Sequence, residues 1–234
     1  LEAIFFMTLL LLLYFADIPY LGNEVPFYLC RITRKIWLAG QVVYIVCATA
    51  IYTVAILLST ILICGQRCYV GNIWSETAVK LAFTSAGKKL SLAASEKTLE
   101  LTRPYACMTT IFFLLFAYAL VMVLLIFWFR ILWNELAGMI AGVVFNGISF
   151  IFSPGILQKL LGISERKSYL ANVAAGWISP LSHATYHLHN FGYDRLPSLR
   201  DSGIYDMVLV IMLILLNLYS IRTYHFVFDG TGER

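Results

Sequence analysis

Residues 105–129, YACMTTIFFLLFAYALVMVLLIFWF, run for 25 positions without one charged side chain. A helix needs about 20 apolar residues to cross the hydrocarbon core of a bilayer. This stretch therefore reads as a complete span, the most hydrophobic in the chain. Working outward, Arg130, Trp133, Asn134 and Glu135 read as a very tight turn, after which residues 136–153 return across the membrane. The returning stretch carries Gly138-x-x-x-Gly142, with Gly147 beyond. Small residues four apart let two helix backbones approach closely. The pattern fits a dimer contact and close packing within one subunit equally well. Upstream, residues 41–64 form a second uncharged span, in which Tyr44, Thr49 and Tyr52 mark packing positions. Residues 3–16 look like the inner part of a truncated span, ended by Asp17, Pro19 and Pro26. Residues 204–221 are the last span, with Asn217 buried in it.

Composition agrees. The chain is 60% hydrophobic and only 13% charged, against about 25% charged in an ordinary soluble domain. Its net charge of +4 is explained by basic residues flanking spans and needs no nucleic-acid partner. No zinc-finger spacing, long basic tract or internal repeat is visible. The first residue is Leu1, inside an apolar run, which leads us to expect upstream sequence with a further span. The expected fold is all-α: a polytopic membrane helix bundle in a single transmembrane domain over residues 1–234. Five spans are visible, the first truncated, of an expected six.

Two long polar segments interrupt the spans. In residues 65–104, Ser75-Glu76 caps a short helix carrying Val79, Leu81, Ala82 and Phe83. Ala86-Gly87-Lys88-Lys89-Leu90-Ser91 is faintly like a phosphate loop, but Ala82 stands where the first glycine is required and no strand precedes it. No nucleotide site is expected in this chain. In residues 154–203, Ile156, Leu157, Leu160, Leu161 and Ile163 around Lys159 suggest an interfacial helix. Residues 169–188 are moderately apolar and broken by Gly176 and Pro180. They fit a hairpin that dips into the bilayer better than a full span. Broken backbone is tolerated there only where protein or a water-filled cavity satisfies it.

Between the first two apolar stretches lie residues 25–38. On a helical wheel Arg31, Arg34 and Lys35 fall on one side, and Leu29, Ile32, Ile36 and Trp37 on the other. Such a helix lies along a membrane surface. It serves either as a rigid cytoplasmic handle for a second protein or as a topogenic basic loop. Placing it in the cytoplasm puts both long segments outside. The raw count of Lys and Arg opposes this, with six in residues 65–104, five in 154–203 and six elsewhere. The short loops, which weigh most, carry the dense basic charge.

Asp17-Ile18-Pro19-Tyr20, then Pro26-Phe27-Tyr28, then Arg31-Ile32-Thr33-Arg34-Lys35-Ile36-Trp37-x-x-Gly40-Gln41-x-x-Tyr44-Ile45 resembles a stretch of small bacterial ABC transporter permeases of the exporter type, the type-2 permease class. Asn72-Ile73-Trp74-Ser75, followed by Leu81-Ala82-x-Thr84, is similar to their outer loop. At motif level the resemblance covers residues 5–105, and the remainder matches in hydropathy. It implies six spans per subunit, a dimer with a second permease subunit, and a separate ABC ATPase that holds ATP and magnesium while this chain holds no cofactor. It also implies that residues 25–38 are the coupling helix, docking through Phe27, Tyr28, Arg31, Arg34, Lys35 and Trp37. The region before the last span becomes the re-entrant outer hairpin. The implied location is the bacterial cytoplasmic membrane, among lipid, and the implied task is export of an apolar or amphipathic substrate.

Other classes compete. His189 and Asp194 have the His-x-x-x-x-Asp spacing of glycerolipid acyltransferases, in which the carboxylate orients a general base. No partner block follows them. His183, His187 and His189 have helix-face spacing for a metal site, though no Cys or Glu converges there. A binding-only importer component would also be a small helical membrane protein, but without a basic coupling helix. If the side of the membrane that carries residues 65–104 is outside, Cys64 or Cys68 could pair with Cys107, and free thiols are the equal alternative. No intramembrane charge is expected to mark a small-ion route.

Overall fold

The computed structural model describes residues 2–19, 31–65, 70–84, 87, 96–160, 162, 164–192 and 194–224. Every regular element among them is helical. They are α1 (Glu2–Tyr14), α2 (Arg34–Cys64), α3 (Glu76–Phe83), α4 (Glu96–Leu101), α5 (Pro104–Leu132), α6 (Glu135–Ile151), α7 (Pro154–Leu160), α8 (Ser168–Ile178), α9 (Pro180–Ala184) and α10 (Leu199–Ser220), with 3-10 turns at Glu165–Lys167 and Tyr186–Leu188.

Three helices, α2, α5 and α10, are long and apolar enough to cross a membrane. At 1.5 Å per residue their 31, 29 and 22 residues measure roughly 46, 44 and 33 Å. A fourth crossing arises if α6 and α7, bent by 73° at the break between them, count as one broken span. Helix α1 is apolar but shorter. Among the described residues the count is thus three or four; the expected five or six are not confirmed, since α6 stops after 17 residues and the expected truncated first span is the short α1.

Local chemistry sets the boundaries. Asn134 ends its approach extended and accepts from the Ala137 amide at 2.8 Å, starting α6 at once. Helix α5 continues through Leu132, so the expected four-residue turn shrinks to Trp133 and Asn134, and Arg130 lies inside the helix. Ser198 and Asp201 form a reciprocal capping box at the start of α10. Ser75 caps α3 as expected, accepting from Ala78 at 3.2 Å.

The basic stretch needs correction. Thr33 accepts from the Ile36 amide and caps α2, so Arg34, Lys35 and Trp37 belong to the first turns of the long helix. Among the described residues of 25–38 there is no separate surface helix; residues 25–30 lie outside the described part. Trp37 and Leu38 turn into the bundle instead of toward a membrane surface. Burying a large apolar side chain against protein stabilises by about 1.5–3 kcal/mol, and Trp37 finds Phe127 and Tyr224 there.

Helix α5 is the central post, its residues 118–124 almost wholly enclosed. Helices α2, α6 and α10 pack around it, and α1 fits between α5 and α6. The core joins Leu11 of α1 and Phe15 just beyond it, Leu38 and Ile45 of α2, Leu124 and Phe127 of α5, and Leu213 of α10. The start of α2, the α5–α6 turn and the end of α10 share one end of the bundle, the junction end. Both long segments share the other, the loop end. There Lys97 pairs with Asp194, and Trp74 packs in one cluster with Tyr186 and Phe191.

Residues 168–188 form a hairpin broken at Ser179-Pro180, while Gly176, expected as a second breaker, lies inside α8 and makes room for Leu196. Helix α8 stops at Ile178, Ser179 accepts from the Ser182 amide, and Pro180 opens α9. Leu181 is fully enclosed by Tyr118 and Met122 near the middle of α5, with Ala184 beside it. Its amide donates to Ser149 Oγ at 3.0 Å. The hairpin therefore reaches about half-way down the bundle and returns.

Candidate functional site

Two polar centres stand apart along the bundle, one at the junction end and one running from mid-bundle toward the loop end. At the junction end Arg31, Arg34 and Lys35 are exposed and adjacent. Arg34 Nη1 donates to the Arg222 carbonyl at 2.5 Å, tying the start of α2 to the end of α10. Trp37 stacks on Tyr224 at 6.5 Å between centroids and meets Phe127 of α5 at the same separation. The expected anchor Trp37 is 7% exposed and packs inside the bundle. Phe27 and Tyr28 lie outside the described residues.

One turn deeper, Arg130 is 5% exposed. Its guanidinium donates to the carbonyls of Phe15, Ala16 and Ile18. These are carbonyls at and beyond the end of α1, which the helix itself cannot satisfy. A cation at a helix C-terminus also complements its dipole. Gly138 makes room for this latch: a Cβ there would stand 2.4 Å from Arg130 Cγ and 2.8 Å from the Ile126 carbonyl. A Cβ on Gly142 would stand 2.6 Å from Leu12 Cδ2. Both glycines thus face this chain's own α5 and α1.

The second centre lies beneath the hairpin. Tyr118 donates to Asn146 Oδ1 at 2.9 Å, and Asn146 Nδ2 donates to Thr8 Oγ1 at 2.9 Å and to the Phe5 carbonyl at 3.2 Å. This line links α5, α6 and α1. Towards the loop end, His183 Nδ1 and His189 Nε2 each lie 2.8 Å from Ser202 Oγ. Their outer nitrogens face carbonyls: His183 Nε2 that of Trp177 at 3.2 Å, and His189 Nδ1 those of Thr185 and Tyr186 at 3.0 and 3.1 Å. All three side chains are buried, and Tyr205 stacks on His183 at 4.2 Å. Burial pulls both imidazoles below the ordinary histidine range, and the facing carbonyls pull each partly back. Asp206 follows Ser202 by one turn of α10, is 3% exposed, and its Oδ2 has no hydrogen-bond partner among the described residues. An enclosed acid in a span corrects the expectation that no intramembrane charge exists.

The rival readings fare differently. His189 and Asp194 do not form a dyad, because His189 serves Ser202 while Asp194 pairs with Lys97. His187 is exposed and does not join His183 and His189. Among the described residues no three His, Cys, Asp or Glu side chains are grouped to hold a metal ion. Cys64 and Cys107 are free thiols, the first exposed and the second enclosed; Cys68 lies outside the described residues.

Ser202, Asp206, Asn146 and Arg130 were not marked as internal by the sequence reading. The signal existed for Asp206 and Asn146, each a polar residue inside an apolar run. Comparison with family models, curated proteins and solved structures finds no match.

Proposed function

We propose that this chain is the membrane permease subunit of an ATP-driven ABC exporter of the type-2 class, worked by a separate ATPase that docks at the junction end. The reading rests on the resemblance carried by residues 17–45. The observation that carries it furthest is the mechanical link at Arg31, Arg34 and Lys35. This exposed basic patch caps the longest helix and is tied through Trp37 and Arg34 to α5 and α10. A push there is delivered to three spans at once, as rigid-body rocking requires. The patch is suited to steering an acidic groove toward it. Phe27 and Tyr28 supply the aromatic anchors of the contact.

The apolar outer faces of α2 and α10 suit lipid and a second permease subunit. The substrate class in this reading is apolar or amphipathic. Asp206 sits enclosed between helices, so an ion route is not favoured. The test combines Arg31→Ala, Arg34→Ala and Lys35→Ala with Phe27→Ala and Tyr28→Ala. The variant should insert normally, lose its ATPase on copurification and stop transporting. Wild-type transport with a retained ATPase would reduce the stretch to a topogenic loop.

A further inference from the structure

The His183–Ser202–His189 cluster has a hydrogen deficit. Four nitrogen-to-oxygen approaches of 2.8 to 3.2 Å surround it: His183 to the Trp177 carbonyl, His183 to Ser202, His189 to Ser202, and His189 to the Thr185 and Tyr186 carbonyls. Each needs one hydrogen. A carbonyl only accepts, so both outer nitrogens must carry N–H. In the neutral state each imidazole has then spent its single hydrogen. Both inner nitrogens present lone pairs to Ser202, whose hydroxyl has one hydrogen to give. Three hydrogens face four contacts. Turning either tautomer round only moves the lone-pair clash to a carbonyl.

One added proton closes the set. If it sits on His189, Nε2 donates to Ser202 Oγ, and the hydroxyl donates to His183 Nδ1. Passing the proton along this line reverses both bonds and leaves an equivalent state with the charge on His183. No other atom has to move. A second proton would place two cations on one hydroxyl inside an enclosed site, which their mutual repulsion and burial oppose.

We propose that His183, Ser202 and His189 form a proton-binding site that takes up a single proton, shared between the two rings through the Ser202 hydroxyl.

The surroundings isolate this proton. Tyr205 covers the face of His183, and Tyr118 of α5 is engaged with Asn146. The Asp201 carboxylate is turned to Ser198 in the capping box, and Arg200 and His187 are exposed. Asp206, one turn along α10, is the enclosed acid on the same helix face. Burial sets the uptake on the acid side of the ordinary histidine range. The site joins the hairpin to the last span, so the proton is held where those two elements meet.

The chain has four histidines, and the variant H187Q/H225Q keeps only the two of this site. Full-length protein labelled with 15N-histidine is titrated in detergent from pH 8 to pH 4.5. The expected result is one shared transition: both rings move at a common midpoint and stop midway between imidazole and imidazolium, with one proton taken per chain. Two separate transitions, each reaching full imidazolium, would overturn the proposal, as would two rings that stay neutral throughout. In the same background Ser202→Ala should abolish the common midpoint. An unchanged shared transition in that variant would also overturn it. Should the alanine variant fail to fold, the titration of H187Q/H225Q decides alone.

Discussion

Replacing Gly138 by alanine adds one methyl group where the structure has no room. The new Cβ would stand 2.8 Å from the Ile126 carbonyl, a backbone atom, and 2.4 Å from Arg130 Cγ. Arg130 cannot swing aside freely, because its guanidinium holds three carbonyls around the end of α1. Helices α5 and α6 must separate or the latch must break. Overpacking of this kind costs about 1–3 kcal/mol. The same change at Gly147 meets nothing within 4 Å. There alanine should gain up to about 1 kcal/mol of helix propensity. The two substitutions are chemically identical and nine residues apart on one helix. The propensity gain is common to both and cancels, so their difference, about 1–3 kcal/mol, isolates packing. Thermal unfolding of the full chain in one detergent, followed by circular dichroism, should place Gly138→Ala well below wild type and Gly147→Ala at or above it. Equal midpoints for the two variants would refute the packing of α6 on α5 at this notch.

Arg130→Met should release α1, leaving three carbonyls without their donor; a protease site engineered after Asp17 should be cut faster than in wild type, and unchanged cutting would contradict the latch. Acid should weaken the seating of the hairpin. Burial holds His183 and His189 below their ordinary range, so the unfolded chain binds more protons than the folded one as pH falls. Stability is therefore complete above about pH 6.5 and is lost below it. With two protons taken by the unfolded pair and one by the folded site, the loss approaches about 1.4 kcal/mol per pH unit. Unfolding midpoints between pH 7.5 and 5 should show this slope; a flat profile contradicts it. Single cysteines at Val70 and Lys167, both exposed in a cysteine-free background, should label with an impermeant reagent on intact cells. Labelling only after lysis would invert the proposed orientation.

Hydropathy made the helices α2, α5, α6 and α10 legible, because uncharged runs of this length have few other uses. The hairpin was legible too, from Pro180, although Gly176 lies within α8. What hydropathy could not tell is which polar residue inside a run faces inward. Asp206 and Asn146 are interior because α10 and α6 turn those faces to α5, a property of packing angles between distant segments. Arg130 looked like a turn residue since it neighbours Trp133 and Asn134. Its role depends on the end of α1, more than 110 residues away in the chain. The basic stretch misled for a related reason. Its amphipathic pattern suits a membrane surface and a protein core alike, and Trp37 found its partners in Phe127 and Tyr224. The two histidines were noticed by spacing, but the serine that joins them lies on the next helix.

The account stands or falls on what touches the junction end. A photo-crosslinking residue placed at Lys35, exposed at the first turn of α2, should capture an ATPase subunit in membranes, and the same residue at Val70, on the loop end, should not. Mass spectrometry of the adduct identifies the partner by its nucleotide-binding sequence. Capture from Lys35 alone is the predicted result. No ATPase adduct from Lys35, or one from Val70, would contradict the coupling of this chain to an ATPase at its basic end.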